Sequence, residues 1–283
     1  MTFRAIASVP LILIFLFARV CFCAEGQTQT DPRQQSWAIL DSGLAQPRAA
    51  RRMEAVKALS LVTGNSRALG LAVHALRDKD ANVRTAAAAT LGQMHAATAI
   101  PALHEALSDN NTSVVLAATH ALFLLKDPSA YGIYYAILMG DKKSSEGPIQ
   151  AQLNRMKDPK QVAALGFQEG LGFVPFGGMG YEAYRALINK DSSPVRAAAA
   201  RFLAHDPDPI SEDALIQAAL ADKNDSVRQA ALDALAERGD PRCVERLLRN
   251  LSDQKYVVRY RTAATILRLS NAAKGPNRKP LPK

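Results

Sequence analysis

Five segments of this chain share one pattern, and the pattern returns at intervals close to 31 residues. Each segment opens with a polar turn and continues with a valine, a basic or apolar residue, several small residues and then leucine-type positions. The aligned valines are Val83, Val114, Val195, Val227 and Val258, and their intervals are 31, 81, 32 and 31 residues. A fixed interval in this range indicates a solenoid, and the long interval predicts a degenerate repeat with an insertion.

Each repeat is predicted to form two helices. The first helix follows an Asp or Asn, residues that cap helix N-termini, and its apolar positions recur every three or four residues. The features predicted to end it are Gly92, Gly239, and the Asp127-Pro128 and Asp206-Pro207 pairs. Pro101 suits the first position of a second helix. Because no segment shows sustained two-residue alternation, we expect essentially no sheet.

Small and leucine side chains at fixed offsets from the valines are predicted to join neighbouring repeats. One helix pair cannot bury its apolar face alone, so adjacent pairs must pack together into an elongated body. The small residues are Ala86, Ala87, Ala198, Ala199, Ala230 and Ala231, and the leucines are Leu91, Leu203, Leu235 and Leu267. Burial of each leucine is expected to contribute about 1.5–3 kcal/mol.

The pattern Asp-x-x-x-x-Val-Arg-x-x-Ala-Ala-x-x-Leu resembles the HEAT-like repeat family first described in phycobilisome lyases. The resemblance covers about 78–140 and 190–270, and residues 47–77 are similar to an earlier, weaker repeat. It implies an all-α fold, a right-handed α-solenoid of about six helix-pair repeats with a concave surface for a protein or ligand. Such a fold does not by itself fix a function.

Residues 141–182 depart from the pattern within a predicted solenoid that spans 47–270. Glycines there lie among large apolar side chains, and each glycine lowers helix stability by about 1 kcal/mol relative to alanine. The aromatic members are Phe167, Phe173, Phe176 and Tyr181. One interpretation of this Gly/Phe-rich insertion is a partner-binding site, and the other is a filler between unequal repeats.

Residues 1–23 have the composition of a secretory signal peptide. Arg4 supplies a positive charge, residues 5–17 are apolar and small residues follow, so we expect cleavage after Cys23 or Ala24. The predicted product is periplasmic or secreted, and an uncleaved anchor and a lipoprotein are the alternatives.

Two polar segments flank the predicted solenoid. Residues 24–46 are interpreted as a flexible leader in which Trp37, Ile39 and Leu40 begin a capping helix. Residues 271–283 are predicted to form a disordered basic tail. The net charge of +9 permits peripheral contact with an anionic envelope surface, although a soluble basic protein has the same composition.

Four arginines follow the valines and are predicted to form a ladder with one arginine per repeat: Arg84, Arg196, Arg228 and Arg259. One interpretation is that the ladder faces an acidic partner. The other pairs each arginine with an aspartate of a neighbouring turn, such as Asp109, Asp222 or Asp253, and so holds adjacent repeats in register. Val115 replaces the arginine in one repeat, which weakens the interpretation as a continuous basic strip.

The sequence shows no pattern typical of catalysis or metal binding. The histidines form no His-Glu-x-x-His or other compact pair, and no Gly-x-Ser-x-Gly motif occurs. His104-Glu105 is similar to the His-Glu dipeptides of deoxyhypusine hydroxylase, a di-iron enzyme of HEAT-like repeats. That resemblance implies several dipeptides as ligands, and this chain has one. Cys243, beside Val244 in a helical pattern, is expected to be buried.

The sequence therefore favours a non-catalytic scaffold without cofactor or metal, which binds a protein through its concave face or its insertion. Two alternatives stay open: an enzyme or accessory lyase acting on a small ligand, and a peripheral binder of an anionic envelope surface. Nucleic acid is not expected as a partner, because aromatic residues are not interleaved with the basic ones.

Overall fold

The computed structural model describes residues 31–139 and 193–272, and every regular element in these ranges is a helix. The first range holds α1 (Pro32–Leu44), α2 (Ala49–Leu59), α3 (Ser66–Ala75), α4 (Ala81–Gln93), α5 (Ile100–Ala106), α6 (Thr112–Leu124) and α7 (Ser129–Met139). The second holds α8 (Ser193–Leu203), α9 (Pro209–Ala221), α10 (Asp225–Arg238), α11 (Cys243–Leu247) and α12 (Tyr256–Ala272). Short 3₁₀ segments, Ala97–Ala99 and Leu248–Ser252, precede α5 and follow α11. The predicted all-α class is confirmed.

Polar side chains open the helices, as the sequence predicts. The side-chain oxygen of Asp80 accepts a hydrogen bond from the amide of Asn82 at 2.9 Å, which caps α4. Asn111 and Asn224 cap α6 and α10 in the same way. These bonds satisfy amides that have no partner within their own helix.

The two glycines predicted to end helices behave differently. Gly239 ends α10 in the left-handed conformation, with φ +69°, as predicted. Gly92 does not end α4 but lies buried inside it, and the helix continues to Gln93. A Cβ atom on Gly92 would lie 2.9 Å from the Cα atom of Ala121 in α6. Gly92 therefore marks a close approach between two helices. The sequence pattern alone does not distinguish such a glycine from one that ends a helix.

The first helix of each repeat packs against the first helix of the next, in the order α2, α4, α6 and again α8, α10, α12. The valines Val83, Val114, Val227 and Val258 are fully buried in these contacts. The second helices, such as α3 and α9, pack against the following first helix. The repeat-to-repeat packing predicted from the valine positions is confirmed in these four places.

The helix α8 is the exception. Its Val195 is 50% exposed and its Phe202 is 62% exposed, and Ala199 is exposed as well. Val195 therefore does not share the buried environment of the other four valines, and the predicted close helix approach through Ala199 is wrong. Ala198 and Leu203 are half-buried, and Leu203 packs against the core. The side of α8 that meets α10 is buried through Ala197 and Ala200 instead. Since α8 opens the second described range, the repeat preceding it in the chain lies outside the described residues.

The last helix packs against the first two, which joins the two described ranges into one stack. Arg261 Nη1 donates to the backbone oxygen of Lys57 at 3.2 Å, and Arg268 donates to the hydroxyl of Thr63. Gly43 of α1 lies so close to α12 that a Cβ atom there would be 2.8 Å from the Tyr260 ring. The helices α8, α10, α12, α2, α4 and α6 therefore follow one another through contacts, although α12 and α2 stand at opposite ends of the chain.

Helix α1 corrects the predicted leader. It begins at Pro32, capped by Asp31, and Leu40 is fully buried, so residues 32–44 are helical and not a flexible segment. The burial of Leu40 agrees with the capping helix expected near Trp37. The predicted signal peptide 1–23, the insertion 141–182 and all but the first two residues of the predicted tail 271–283 lie outside the described residues. Within the described ranges no helix combines the length and apolarity needed to cross a bilayer.

Candidate partner-binding surface

An ion pair between Arg84 and Asp109 connects two consecutive repeats. Arg84 lies near the start of α4, and Asp109 lies in the turn before α6. The Nε and Nη2 atoms of Arg84 donate to the two carboxylate oxygens of Asp109 at 2.7 and 2.8 Å. Its Nη1 donates to the backbone oxygen of Asp78 at 2.9 Å. One guanidinium thus holds its own turn and the next turn together, and we call such an Arg–Asp pair a rung.

The same rung recurs in the second described range. Arg196 donates from Nε and Nη2 to the carboxylate of Asp222 at 2.9 and 3.1 Å. Arg228 pairs with Asp253. The prediction that the ladder arginines pair with aspartates of neighbouring turns is confirmed for Arg84, Arg196 and Arg228.

A fourth rung, between Arg52 and Asp78, was missed from the sequence. Arg52 donates from Nε and Nη2 to the two carboxylate oxygens, both at 2.8 Å. It was missed because Arg51, not a valine, precedes it. The signal that identifies it is the separation of 26 residues from arginine to aspartate, which matches the 25 or 26 of the other rungs.

Each rung aspartate also holds its own turn. Asp78 accepts a hydrogen bond from the amide of Asp80 at 2.8 Å, and the other three accept from the amide two residues on. The hydrogen bond from Arg52 is the main cause that lowers the pKa of Asp78, and burial opposes it. The pKa of Asp222 is lowered in the same way, chiefly by Arg196. Ionised aspartates are therefore part of the folded structure.

Three of the four rungs leave little of their charge exposed, whereas the side chain of Arg196 is 34% exposed. The side chains of Arg84 and Asp109 are 14% and 12% exposed. An acidic partner that contacted Arg84 would have to displace an aspartate from a bidentate pair, and one that contacted Arg228 would have to displace Asp253. The predicted partner contact of Arg84, Arg196 and Arg228 stays a prediction, and the geometry gives these residues a structural role first.

Arg259 occupies a rung position but has no rung aspartate. Its hydrogen bonds go to the backbone oxygens of Asp253 and Gln254, and within the described ranges it forms no ion pair. The turn before α2, which would supply the carboxylate, holds Gln46. The backbone oxygen of Gln46 accepts from Nη1 of Arg52 at 2.9 Å, as that of Asp78 accepts from Arg84.

Arg51 lies where α2 meets the first turn of α12. Its guanidinium is stacked over the ring of Tyr256 at 5.3 Å, and its Nη1 donates to the side-chain oxygen of Gln46 at 3.2 Å. The rings of Tyr256 and Tyr260 are 5.8 Å apart. Burial raises the pKa of Tyr260, and the positive charges of Arg259 and Arg51 both act against that rise. We call Gln46, Arg51, Tyr256, Arg259 and Tyr260 the terminal junction. Nothing in the sequence pattern indicates that these residues meet.

A cluster of aromatic side chains lies between α6 and α7. The ring of Phe123 is 5.6 Å from that of Tyr131 and 6.0 Å from that of Tyr134, both edge to face. Phe123 and Tyr131 are exposed, at 40% and 58%. His120 faces the same cluster, and burial lowers its pKa. This aromatic patch was not identified from the sequence, because its members fit a helical core pattern.

The residues considered for chemistry are engaged in structural contacts. Cys243 is fully buried, and burial, with the negative charge of Glu212, raises the pKa of its thiol to about 12, which confirms its interpretation as a buried small side chain. His104 lies 3.3 Å from a carboxylate oxygen of Asp127. No group of three or more His, Cys, Asp or Glu within the described ranges is arranged to hold a metal ion.

A small cavity lies between α2, α3 and α4. Its lining includes Leu44, Val56, Leu71 and His74 together with the Arg52–Asp78 rung. Its volume of about 130 Å³ is below the roughly 300–1,000 Å³ typical of small-molecule sites. This cavity therefore gives little support to a small-ligand enzyme.

Comparison with known proteins identifies the repeat. The family described as HEAT repeats matches residues 39–131 and 182–266. Among solved structures, the chain is similar to the complex of CpcE and CpcF of phycocyanin lyase from Nostoc sp. PCC7120, with 19% identity, a TM-score of 0.33, and coverage of 89% of this chain and 96% of that one. It is also similar to human deoxyhypusine hydroxylase in complex with glycerol, with 20% identity, a TM-score of 0.33 and coverage of 85% and 97%. No curated protein matches the sequence.

Proposed function

This chain belongs to the HEAT-repeat family, and from that premise we propose that it is a non-catalytic scaffold that binds another protein. The observation that carries the proposal is the set of four rungs, which connect consecutive turns. The rungs of Arg52, Arg84 and Arg196 are bidentate. A surface held in this way needs little ordering when a partner docks, so more of the contact energy is expressed as affinity.

The aromatic patch supports the same function. Aromatic side chains are enriched in protein interfaces, and they lose little conformational entropy on binding. Phe123 and Tyr131 are fixed by ring contacts with each other and with Tyr134 while they stay exposed. A partner that covers these rings would bury apolar area on a surface that is already ordered.

We further propose where this contact takes place. The partner binds the concave face of the solenoid, the insertion that contains Phe167, Phe173, Phe176 and Tyr181, or both, and it does so in the cell envelope or outside the cell. The signal-peptide composition of residues 1–23 supports the location. If the location is right, the N-terminal sequence of the protein recovered from its host begins at Ala24 or Glu25.

Affinity capture from the native host tests the scaffold. The full chain with a C-terminal tag, cross-linked in whole cells, is expected to recover one protein in a fixed ratio. The double variant Phe123→Ser/Tyr131→Ser probes the aromatic patch, and a deletion of residues 166–181 probes the insertion. Phe202→Ser, which removes another exposed ring on α8, is the matched control, and circular dichroism checks that each variant folds.

A capture that both surface variants leave unchanged would rule out the aromatic patch and the insertion as contact surfaces. The scaffold itself is wrong if the wild-type chain recovers no protein in a fixed ratio. It is also wrong if the purified chain alone converts a small ligand.

A further inference from the structure

The terminal junction repeats the geometry of a normal contact between repeats. In a normal contact, Thr90 donates to the backbone oxygen of Val56 at 3.2 Å, and Thr265 donates to that of Leu232 at 3.2 Å. Thr90 lies six residues after Arg84 of its own helix, whereas Val56 lies four residues after Arg52. Thr265 and Leu232 likewise lie six and four residues after Arg259 and Arg228. In both cases the residue on the following helix is two positions further along. These two hydrogen bonds thus join equivalent positions in two contacts between repeats.

Two contacts join α12 to α2 and to the turn after it, and their offsets are three and two residues in the same direction. Arg261 contacts Lys57. Lys57 lies five residues after Arg52 and Arg261 lies two residues after Arg259, so the position on α2 is three residues further along. Thr63 meets Arg268, and there α2 is two residues ahead. Helix α2 therefore follows α12 in the stack in a register close to that of these two hydrogen bonds, and the turn before α2 corresponds to the next rung turn.

Gln46 consequently stands where a rung aspartate belongs. It precedes Arg52 by six residues, as Asp78 precedes Arg84 and Asp253 precedes Arg259. The neutral amide of Gln46 cannot neutralise Arg259, and it accepts a hydrogen bond from Arg51. In the described part of the chain, neither Arg51 nor Arg259 is paired with a carboxylate.

The orientation of Arg259 leaves its binding edge available. In a complete rung such as that of Arg84, Nη1 is held by the preceding turn and the Nε–Nη2 edge receives the carboxylate. Nη1 of Arg259 is held by Asp253 and Gln254 in the same way. Arg259 and Arg51 are both half-buried residues. Two further exposed cations, Arg48 and Lys255, begin the adjoining helices.

We propose that the terminal junction is a binding site for a carboxylate side chain on an acidic segment of the partner protein. The carboxylate takes the place that an aspartate fills in the four complete rungs, between Arg259 and Arg51, beside the ring of Tyr256. This inference rests on the proposed scaffold function and gives its partner a chemical character. A peptide carboxylate fits because the same arginine edge receives an aspartate elsewhere in this chain at 2.7–3.1 Å.

A designed peptide and one gain-of-charge variant test the site. The probe is a fluorescent twelve-residue peptide of alternating Gly and Asp, and its Asn counterpart is the neutral control. Fluorescence anisotropy with the full chain should show binding of the Asp peptide alone. Arg259→Gln should weaken that binding roughly tenfold or more, because it removes charge-assisted hydrogen bonds. Lys255→Gln, which removes an exposed neighbouring charge, should weaken it far less.

The decisive variant is Gln46→Asp, which supplies the missing rung carboxylate from within the chain. It should raise the thermal midpoint and abolish binding of the Asp peptide, since Arg259 is then occupied. Gln217→Glu adds the same negative charge on the exposed face of α9 and should change neither property. Unchanged peptide affinity in Gln46→Asp, or equal losses in Arg259→Gln and Lys255→Gln, would overturn the proposed site.

Two further outcomes separate this site from the function on which it rests. Inorganic phosphate that displaces the peptide at equal concentration would mark a general anion site and overturn the peptide assignment. Capture of the native partner that persists in Gln46→Asp also overturns it, while the scaffold function stands. Loss of capture in Gln46→Asp, with Gln217→Glu unaffected, supports the site.

Discussion

The substitution Asp109→Asn isolates the contribution of one rung to stability. The asparagine oxygen still accepts the hydrogen bond that the amide of Asn111 donates at 2.8 Å, so the turn keeps its internal contact. What is lost is the negative charge opposite Arg84 and the bidentate pairing. The guanidinium is then left with 14% exposure and no carboxylate.

The expected loss follows from how buried the pair is. Ion pairs on an open surface contribute about 0–1 kcal/mol, and breaking a fully buried pair destabilises by about 3–5 kcal/mol. The Arg84–Asp109 rung lies between these limits, because its side chains are 14% and 12% exposed. We expect the free energy of unfolding to fall by about 2–3 kcal/mol.

Urea unfolding followed by far-ultraviolet circular dichroism measures this loss. Glu105→Gln is the matched control, because it breaks the Arg77–Glu105 pair, whose side chains are 76% and 68% exposed. That control should lose less than about 1 kcal/mol. If the two variants lose the same small amount, the rungs do not hold the repeats together and the reasoning is refuted.

Three other predictions concern acid, packing and the thiol. The pKa values of the rung aspartates are lowered from 3.8. The stability that these aspartates add is therefore complete above that pH and is lost as the pH falls through the lowered pKa values. The thermal midpoint should drop on acidification, and it should drop less in Asp109→Asn. Gly92→Ala should destabilise the chain by about 1–3 kcal/mol, because the new Cβ atom meets the backbone of Ala121. Gly70→Ala, at an open position of α3, should stabilise it by up to about 1 kcal/mol. Equal shifts of the thermal midpoint in the two variants would contradict this prediction. Cys243 should resist iodoacetamide at neutral pH until urea unfolds the chain, and rapid labelling of the folded protein would show that its burial is wrong.

The local rules of the sequence predicted the repeats and most of their rungs. The spacing of Val83, Val114, Val227 and Val258 predicted their shared burial, because successive helix pairs must pack their apolar faces together. The predicted partners of Arg84, Arg196 and Arg228 followed from the same spacing. Val195 broke the rule because burial depends on what packs against α8, which a repeat pattern does not specify.

The spacing of the repeats could not predict the terminal junction. Arg52 was missed because Arg51 replaces the valine that marked the other repeats. The contact of Arg261 with Lys57 joins residues 204 positions apart, and no local pattern predicts which chain ends meet. The sequence alone does not show that Gln46 occupies the position of a rung aspartate, because that position is recognised only once α2 is known to follow α12 in the stack.

The contact between the first and last helices is the central claim, and a cross-link between α1 and α12 measures it most directly. Arg33 donates to the side chain of Asn271 at 3.0 Å. With Cys21, Cys23 and Cys243 replaced by alanine, the double variant Arg33→Cys/Asn271→Cys should form an intramolecular bond with a short bismaleimide in high yield, and the product should run as a monomer. Cross-linking that yields only dimers, or none in the folded chain, would contradict the continuous stack and the terminal junction built on it.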